Sequence, residues 1–286
     1  MAQCAGFCYG VKRAVETTKK IKLENASKKV WVLGELIHNS HVIKELESLG
    51  IFTVDELPEN ETGICIVRSH GMAPQKIKEI ESKGFEIVDL TCLDVKKVQQ
   101  KAVQLAKEEF LVLILGKPEH PEVIAIKANA QMYSGKVHVI PDLESVKNLY
   151  TEIKEHKKVG VVIQTTQKLE FLQEVVNYLV PIANELKVFN TICKSTSMRQ
   201  SEAKELAKTS DLMVVVGGKN SANTTHLAEI LQEITKTIHI ETEEDLKEYE
   251  DLIKQSENIG VTAGASTPEN IIKNVVSKIQ SGKGEK

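Results

Sequence analysis

A chain of 286 residues holds two or three ordinary domains or one large one. Its formal net charge of −3 argues against a general nucleic-acid or anionic-membrane binder, either of which needs a basic face. With 41% hydrophobic residues, no apolar run approaching the ~20 residues of a membrane span and no signal-peptide stretch in MAQCAGFCYGVKR, the chain reads as a cytoplasmic globular protein.

The first third opens with Cys8 and a helical pattern that sets Val11, Ala14, Val15 and Ile21 on one face. A buried-type strand, Val30 to Leu33, ends in GELIHNSH, and residues 41–49 read as a helix. The strand Gly63 to Val67 ends in RSHGM, a helix begins near Pro74, and the strand Phe85 to Val88 leads into Cys92. The second third repeats the plan. A helix carrying Val95, Val98, Ala102 and Leu105 is followed by the strand Phe110 to Leu115, which ends in GKPEHPEV before a helical stretch. Lys136 to Ile140 and Val159 to Ile163 are strands, the latter ending in QTTQ, with helices near 142–150 and 168–179. Leu186 to Phe189 then delivers Cys193. The last third has a helix with Met198, Ala203, Leu206 and Ala207, and a strand Leu212 to Val216 that ends in GGKNSANTTH. A helix to about Ile234, a strand Thr237 to Ile240 and a helix near 243–254 follow. The strand Ile259 to Thr262 ends in AGASTPEN and starts the last helix, and SGKGEK reads as a disordered tail.

Strands alternating with helices imply parallel sheets, whose ligands gather where strand C-termini feed helix N-termini. The expected fold is therefore α/β: three pseudo-equivalent units with small parallel sheets, arranged around a centre to which Cys8, Cys92 and Cys193 each contribute. The units are 9–92, 93–192, and 193–280 together with 1–8, with 281–286 as the tail.

Five cysteines, none in a C-x-x-C pair, argue against a single-loop zinc or ferredoxin site and are compatible with one assembled from distant loops. Three thiolates suit a [4Fe–4S] cluster, because one iron then stays open to substrate. The helix start beside each cysteine favours the thiolate. A Cys₃ zinc site and three unrelated cysteines are the alternatives. Cys65, inside GICIV, reads as a core thiol, and Cys4 competes with Cys8 as a ligand.

His38, His70 and His120 each follow a strand and offer donors to a phosphorylated substrate. In His120-Pro121-Glu122 an extended backbone would point imidazole and carboxylate to the same side, with Glu122 as acid and His120 as donor or relay. Ser221 and Asn223 in one loop, and Ser266 in another, stand at helix starts suited to phosphate oxygens. Plain helix capping and solvated loops explain the same residues. Without G-x-x-x-x-G-K-[ST] or G-x-G-x-x-G, a nucleotide cofactor is not indicated.

GFCYGV, HNSHVI, RSHG, TC, HPEV, QTT, TICKSTSMRQ, GGKNSANT and TAGASTP, in this order, make the chain resemble the 4-hydroxy-3-methylbut-2-enyl diphosphate reductase family. The resemblance implies three α/β units around one [4Fe–4S] cluster per chain, held by Cys8, Cys92 and Cys193. The open iron binds the substrate hydroxyl, which two electrons and two protons remove as water through an allyl-type intermediate, to give isopentenyl and dimethylallyl diphosphate. The resemblance further implies that His38, His70, His120, Ser221, Asn223 and Ser266, with the Ala222 N–H, bind the diphosphate. Glu122 then delivers protons, Thr165 holds the substrate hydroxyl, and ferredoxin or flavodoxin supplies electrons to a monomer or homodimer.

Four departures stand out. Ala222 replaces a frequent serine, Ala125 a usual glycine that would alter the loop after HPEV, and TCLDV the usual TCP-type turn. Only seven residues precede Cys8, too few for the strand that normally leads into it, so either the start codon is misassigned or the third unit lacks part of a strand. A hydro-lyase using the open iron as a Lewis acid, and a non-catalytic protein that holds a cluster or zinc, are the competing functions.

Overall fold

A computed structural model describes residues 1–284. The chain runs through α1 (Tyr9–Glu24), β1 (Val30–Leu33), α2 (Ser40–Ser48), β2 (Ile51–Val54), β3 (Gly63–Val67), α3 (Pro74–Ser82) and β4 (Phe85–Asp89). It continues with α4 (Leu93–Lys107), β5 (Leu111–Leu115), α5 (Pro121–Gln131), β6 (Val137–Ile140), α6 (Leu143–Lys147), α7 (Tyr150–His156), β7 (Lys158–Ile163), α8 (Leu169–Leu179) and β8 (Glu185–Phe189). It ends with α9 (Lys194–Ala207), β9 (Leu212–Val216), α10 (Ala222–Gln232), β10 (Thr237–Ile240), a 3₁₀ turn and α11 (Glu250–Gln255), β11 (Ile259–Ala263) and α12 (Glu269–Gly284).

The strands form three separate parallel sheets, ordered β2-β1-β3-β4, β6-β5-β7-β8 and β10-β9-β11. In each the first strand of the repeat lies inside, which is why β1, β5 and β9 read as unbroken apolar runs and are wholly buried. The chain divides into two compact units. One comprises Met1–Glu16, Ile37–Leu49 and the chain from Lys194 on; the other comprises Thr17–Leu36 and Gly50–Cys193. The first holds the three-stranded sheet and the second both four-stranded sheets.

Packing follows the pleat of each central strand. Val112 and Ile114 of β5 meet Val98, Ala102 and Leu105 of α4 and Val123 and Ile126 of α5. Leu111, Leu113 and Leu115 point the other way, onto Ile153 of α7 and Leu172, Val175 and Leu179 of α8. In the three-stranded sheet Val214 and Val216 pack on Ile271 and Val275 of α12, whereas Met213 and Val215 pack on Ala203 and Ala207 of α9.

Gly160 of β7 lies so close to α4 that a Cβ there would stand 2.6 Å from Leu105 Cδ2 and 3.0 Å from its Cγ. Leu105 is fully buried and has nowhere to go. Gly160→Ala is expected to lower stability by about 1–3 kcal/mol, the usual cost of overpacking, as a shifted midpoint in denaturant unfolding with unchanged m. An unchanged midpoint would mean that α4 yields there freely.

Several expectations need correction. The strand β2 was not foreseen; it is a four-residue edge strand whose burial does not alternate cleanly. His120-Pro121-Glu122 is not extended: Pro121 is the first residue of α5, where its fixed φ suits a helix and its missing N–H costs nothing. For the same reason Ala125 sits inside α5 rather than in the loop. The helix expected near 142–150 is the short α6, with α7 a separate helix after it. The expected tail is helical through Gly284, as α12 continues; its last two residues, 285 and 286, lie outside the described residues. Among the described residues no helix is long and apolar enough to cross a membrane.

Candidate functional site

Each of the three cysteines stands on the residue immediately before a helix: Cys8 before α1, Cys92 before α4 and Cys193 before α9. Each is pinned through its own N–H to a carbonyl just past the end of a strand. Cys92 donates to Ser69 O beyond β3 at 2.9 Å, Cys193 to Thr165 O beyond β7 at 3.1 Å, and Cys8 to Ala265 O beyond β11 at 3.2 Å. The three acceptors occupy the same place in the three sheets, so the repeat visible in the sequence is repeated in backbone hydrogen bonding. All three cysteines are half-buried, and among the described residues none is in a disulfide.

The other two thiols differ. Cys65 is fully buried in β3, as expected of a core thiol, and burial pushes its pKa up to about 11. Burial, and then hydrogen bonding to Glu202, also raise Cys4, so its proton is held where a metal ligand must lose it. Cys8, Cys92 and Cys193 are each a half-buried soft donor beside a helix start.

In the unit with the two four-stranded sheets, β5 and β7 bring Glu122 and Thr165 together. Glu122 is 1% exposed, and its two carboxylate oxygens accept from the Thr165 N–H at 2.7 Å and the Thr165 hydroxyl at 2.7 Å. Burial pushes the Glu122 pKa up to about 7, against the opposing pull of those two hydrogen bonds. The residue that anchors Cys193 is thus also the partner of the carboxyl. His120 caps α5: its Nδ1 accepts from the Glu122 N–H at 3.2 Å. His70 meets the His120 ring edge-on, with centroids 5.4 Å apart. Cys92, His70, His120, Glu122, Thr165 and Cys193 consequently gather at the carboxyl ends of β3, β5 and β7.

Gln164, which sequence reasoning missed, holds these loops in register. Its Oε1 accepts from the Lys117 N–H at 3.3 Å and its Nε2 donates to Thr166 Oγ1 at 3.1 Å. The repeated hydroxyls of QTTQ were the only sequence signal for it.

In the other unit, His38, Ser221, Ala222, Asn223 and Ser266 lie around the ends of β9 and β11. Ser221 is the N-cap of α10 and is buried, yet its side chain makes no capping bond. That answers the plain-capping alternative for this residue. Ala222 and Asn223 open the helix, and the buried Asn223 Nδ2 has no hydrogen-bond partner among the described residues. The Ser266 hydroxyl donates to His38 O at 3.1 Å. Thr224, also missed, adds one residue further on a buried hydroxyl without a hydrogen-bond partner among the described residues. A helix N-terminus with an idle serine and an orphaned amide is what an anionic ligand would satisfy.

The LytB protein family model matches residues 1–280. A 4-hydroxy-3-methylbut-2-enyl diphosphate reductase of Aquifex aeolicus is 41% identical over 98% of this chain and 95% of its own. One of Pelobacter propionicus is 44% identical over 98% of this chain and 96% of its own. Among solved structures, one described as that reductase, the terminal enzyme of the non-mevalonate pathway, has a TM-score of 0.71 at 41% identity, over 98% of either chain. The corresponding reductase of Plasmodium falciparum has a TM-score of 0.87 at 28% identity, over 96% of this chain and 85% of that one.

Proposed function

The chain belongs to the LytB protein family, and we propose that it is a cytoplasmic iron–sulfur reductive dehydroxylase. Its substrate is (E)-4-hydroxy-3-methylbut-2-enyl diphosphate, its products are isopentenyl and dimethylallyl diphosphate, and this is the last step of the methylerythritol phosphate route to isoprenoids. The observation that carries this reading is the buried Glu122–Thr165 pair, joined through the Thr165 carbonyl to the backbone of Cys193.

Cys8, Cys92 and Cys193 would hold one [4Fe–4S] cluster, which supplies the electrons for C–O cleavage when bound. The protein's own residues do the rest. Glu122 carries a proton near neutral pH because burial keeps its carboxyl half-protonated there. The Thr165 hydroxyl, 2.7 Å away, receives that proton and can pass it to a departing hydroxyl held against it. Ser221, Asn223, Ser266 and the Ala222 N–H suit the diphosphate oxygens, and His38, His70 and His120 supply further donors. Missing the serine hydroxyl at position 222 leaves that backbone N–H and the helix start in place. Ferredoxin or flavodoxin serves as electron donor to a monomer or homodimer.

The reading is tested anaerobically with reconstituted protein, a reduced one-electron dye and the hydroxylated allylic diphosphate. Dye oxidation coupled to formation of both five-carbon diphosphates is expected; none, from protein with an intact cluster, would sink it. The same assay yields a pH prediction. Since the acid form of Glu122 does the work, kcat should be level below about 7 and fall as pH rises through that value. A profile flat to pH 9 would remove Glu122 from the proton path.

A further inference from the structure

Cys92 and Cys193 are each delivered by a fourth strand. β4 pairs with β3 from Phe85 to Asp89, and β8 pairs with β7 from Glu185 to Phe189. The Cys8 segment has no such strand among the described residues, since the third sheet is β10-β9-β11. Among the described residues its strand-like contacts to β11 reduce to one bond, the Ala2 N–H to Val261 O at 2.9 Å, before the Cys8 N–H itself.

Between those two points the main chain is held by side chains of α9. The Glu202 carboxylate accepts from the N–H groups of Gln3 at 2.5 Å and Cys4 at 2.7 Å. The Arg199 guanidinium donates from Nε to Cys4 O at 3.1 Å and from Nη2 to Gly6 O at 2.7 Å. One carboxylate thus takes two successive donors and one guanidinium takes two acceptors, so four backbone groups that a neighbouring strand would satisfy are satisfied from a helix. The chain turns sharply inside this clamp: Gly6 has φ +92°, and a Cβ there would press on Ile272 Cδ1 at 3.0 Å. Arg199 is only 3% exposed, an unusual place for a guanidinium, and it is repaid by backbone carbonyls rather than by solvent.

We propose that Arg199 and Glu202 are positioning residues for Cys8, holding the main chain that leads into it so that its thiolate is presented to the cluster in a fixed place. The proposal rests on the reading of Cys8 as a cluster ligand. It predicts that loosening the clamp disturbs one cysteine of the three.

The test uses the full-length protein in two states. In the apo form, alkylation of each cysteine is followed by mass spectrometry. In the reconstituted form, iron release to a chelator is timed. Arg199→Gln should raise the alkylation rate of Cys8 about tenfold, as expected for losing a hydrogen bond to a charged group, and leave Cys92 and Cys193 unchanged. Iron release should quicken by a similar factor. Arg199→Lys, which keeps the charge but not the two-pronged geometry, should lie between. If Arg199→Gln does not fold, Glu202→Gln gives the same comparison with a smaller perturbation. Equal alkylation rates and equal iron release in the variants overturn the clamp, as does a uniform rise at all three cysteines, which marks general loosening. The underlying reading fails separately: a full, wild-type-like cluster in Cys8→Ser would remove Cys8 as a ligand whatever the clamp does.

Discussion

Glu122→Gln is expected to lower kcat by about 10²- to 10⁴-fold while cluster content stays at the wild-type level. Glutamine has the shape of the carboxyl and keeps an oxygen for the Thr165 N–H, so the backbone that anchors Cys193 is retained. It cannot carry a transferable proton. The fall in kcat through pH 7 should therefore vanish along with most of the rate. Stability should move the opposite way. A carboxyl whose folded pKa is raised from 4.5 to about 7 contributes stability that is full below the unfolded value and is lost as pH rises through the folded one. Above pH 7 the variant should thus unfold at no lower a temperature than the parent. Near-parental turnover by this variant would remove Glu122 from the chemistry, and loss of iron would recast it as structural.

Cys193→Ser is expected to abolish the iron–sulfur absorption and the EPR signal of the reduced protein, with turnover lost as a consequence. Serine fits the site, and the N–H bond to Thr165 O does not depend on the side chain. What disappears is the soft thiolate, which an alcohol does not replace at neutral pH. The informative control is Cys4→Ser. If Cys4, whose pKa burial and Glu202 raise, is outside the ligand set, this variant should reconstitute fully. A complete [4Fe–4S] signal in Cys193→Ser would overturn the ligand assignment, and its loss in Cys4→Ser would reopen the choice between Cys4 and Cys8.

Much of the architecture was legible because it rests on local rules. Leu111 to Leu115 and Leu212 to Val216 are apolar throughout since they are covered on both faces, and such runs can be read without knowing their neighbours. The cysteines were legible because each stands directly before a helical pattern at the same step of the recurring plan. β2 was not, since a short edge strand buries too little to leave a pattern. Pro121 misled because proline suits both extended chain and the first helical turn, and only the packing of Val123 and Ile126 against α4 selects the helix.

The sequence by itself determined the α/β class, the threefold recurrence and the identity of the residues at the strand ends, because period, turn chemistry and residue type are written along the chain. Tertiary structure alone decided their states. Glu122 finds Thr165 across 43 residues and is lifted toward neutral pKa by burial that no local pattern records. Cys4 and Cys8 are four residues apart and chemically identical as written. Burial and Glu202 raise the pKa of one, and the other stands at a helix start with its backbone tied to Ala265. The difference comes from partners in α9 and beyond β11, and such long-range neighbours exist only once the chain has folded.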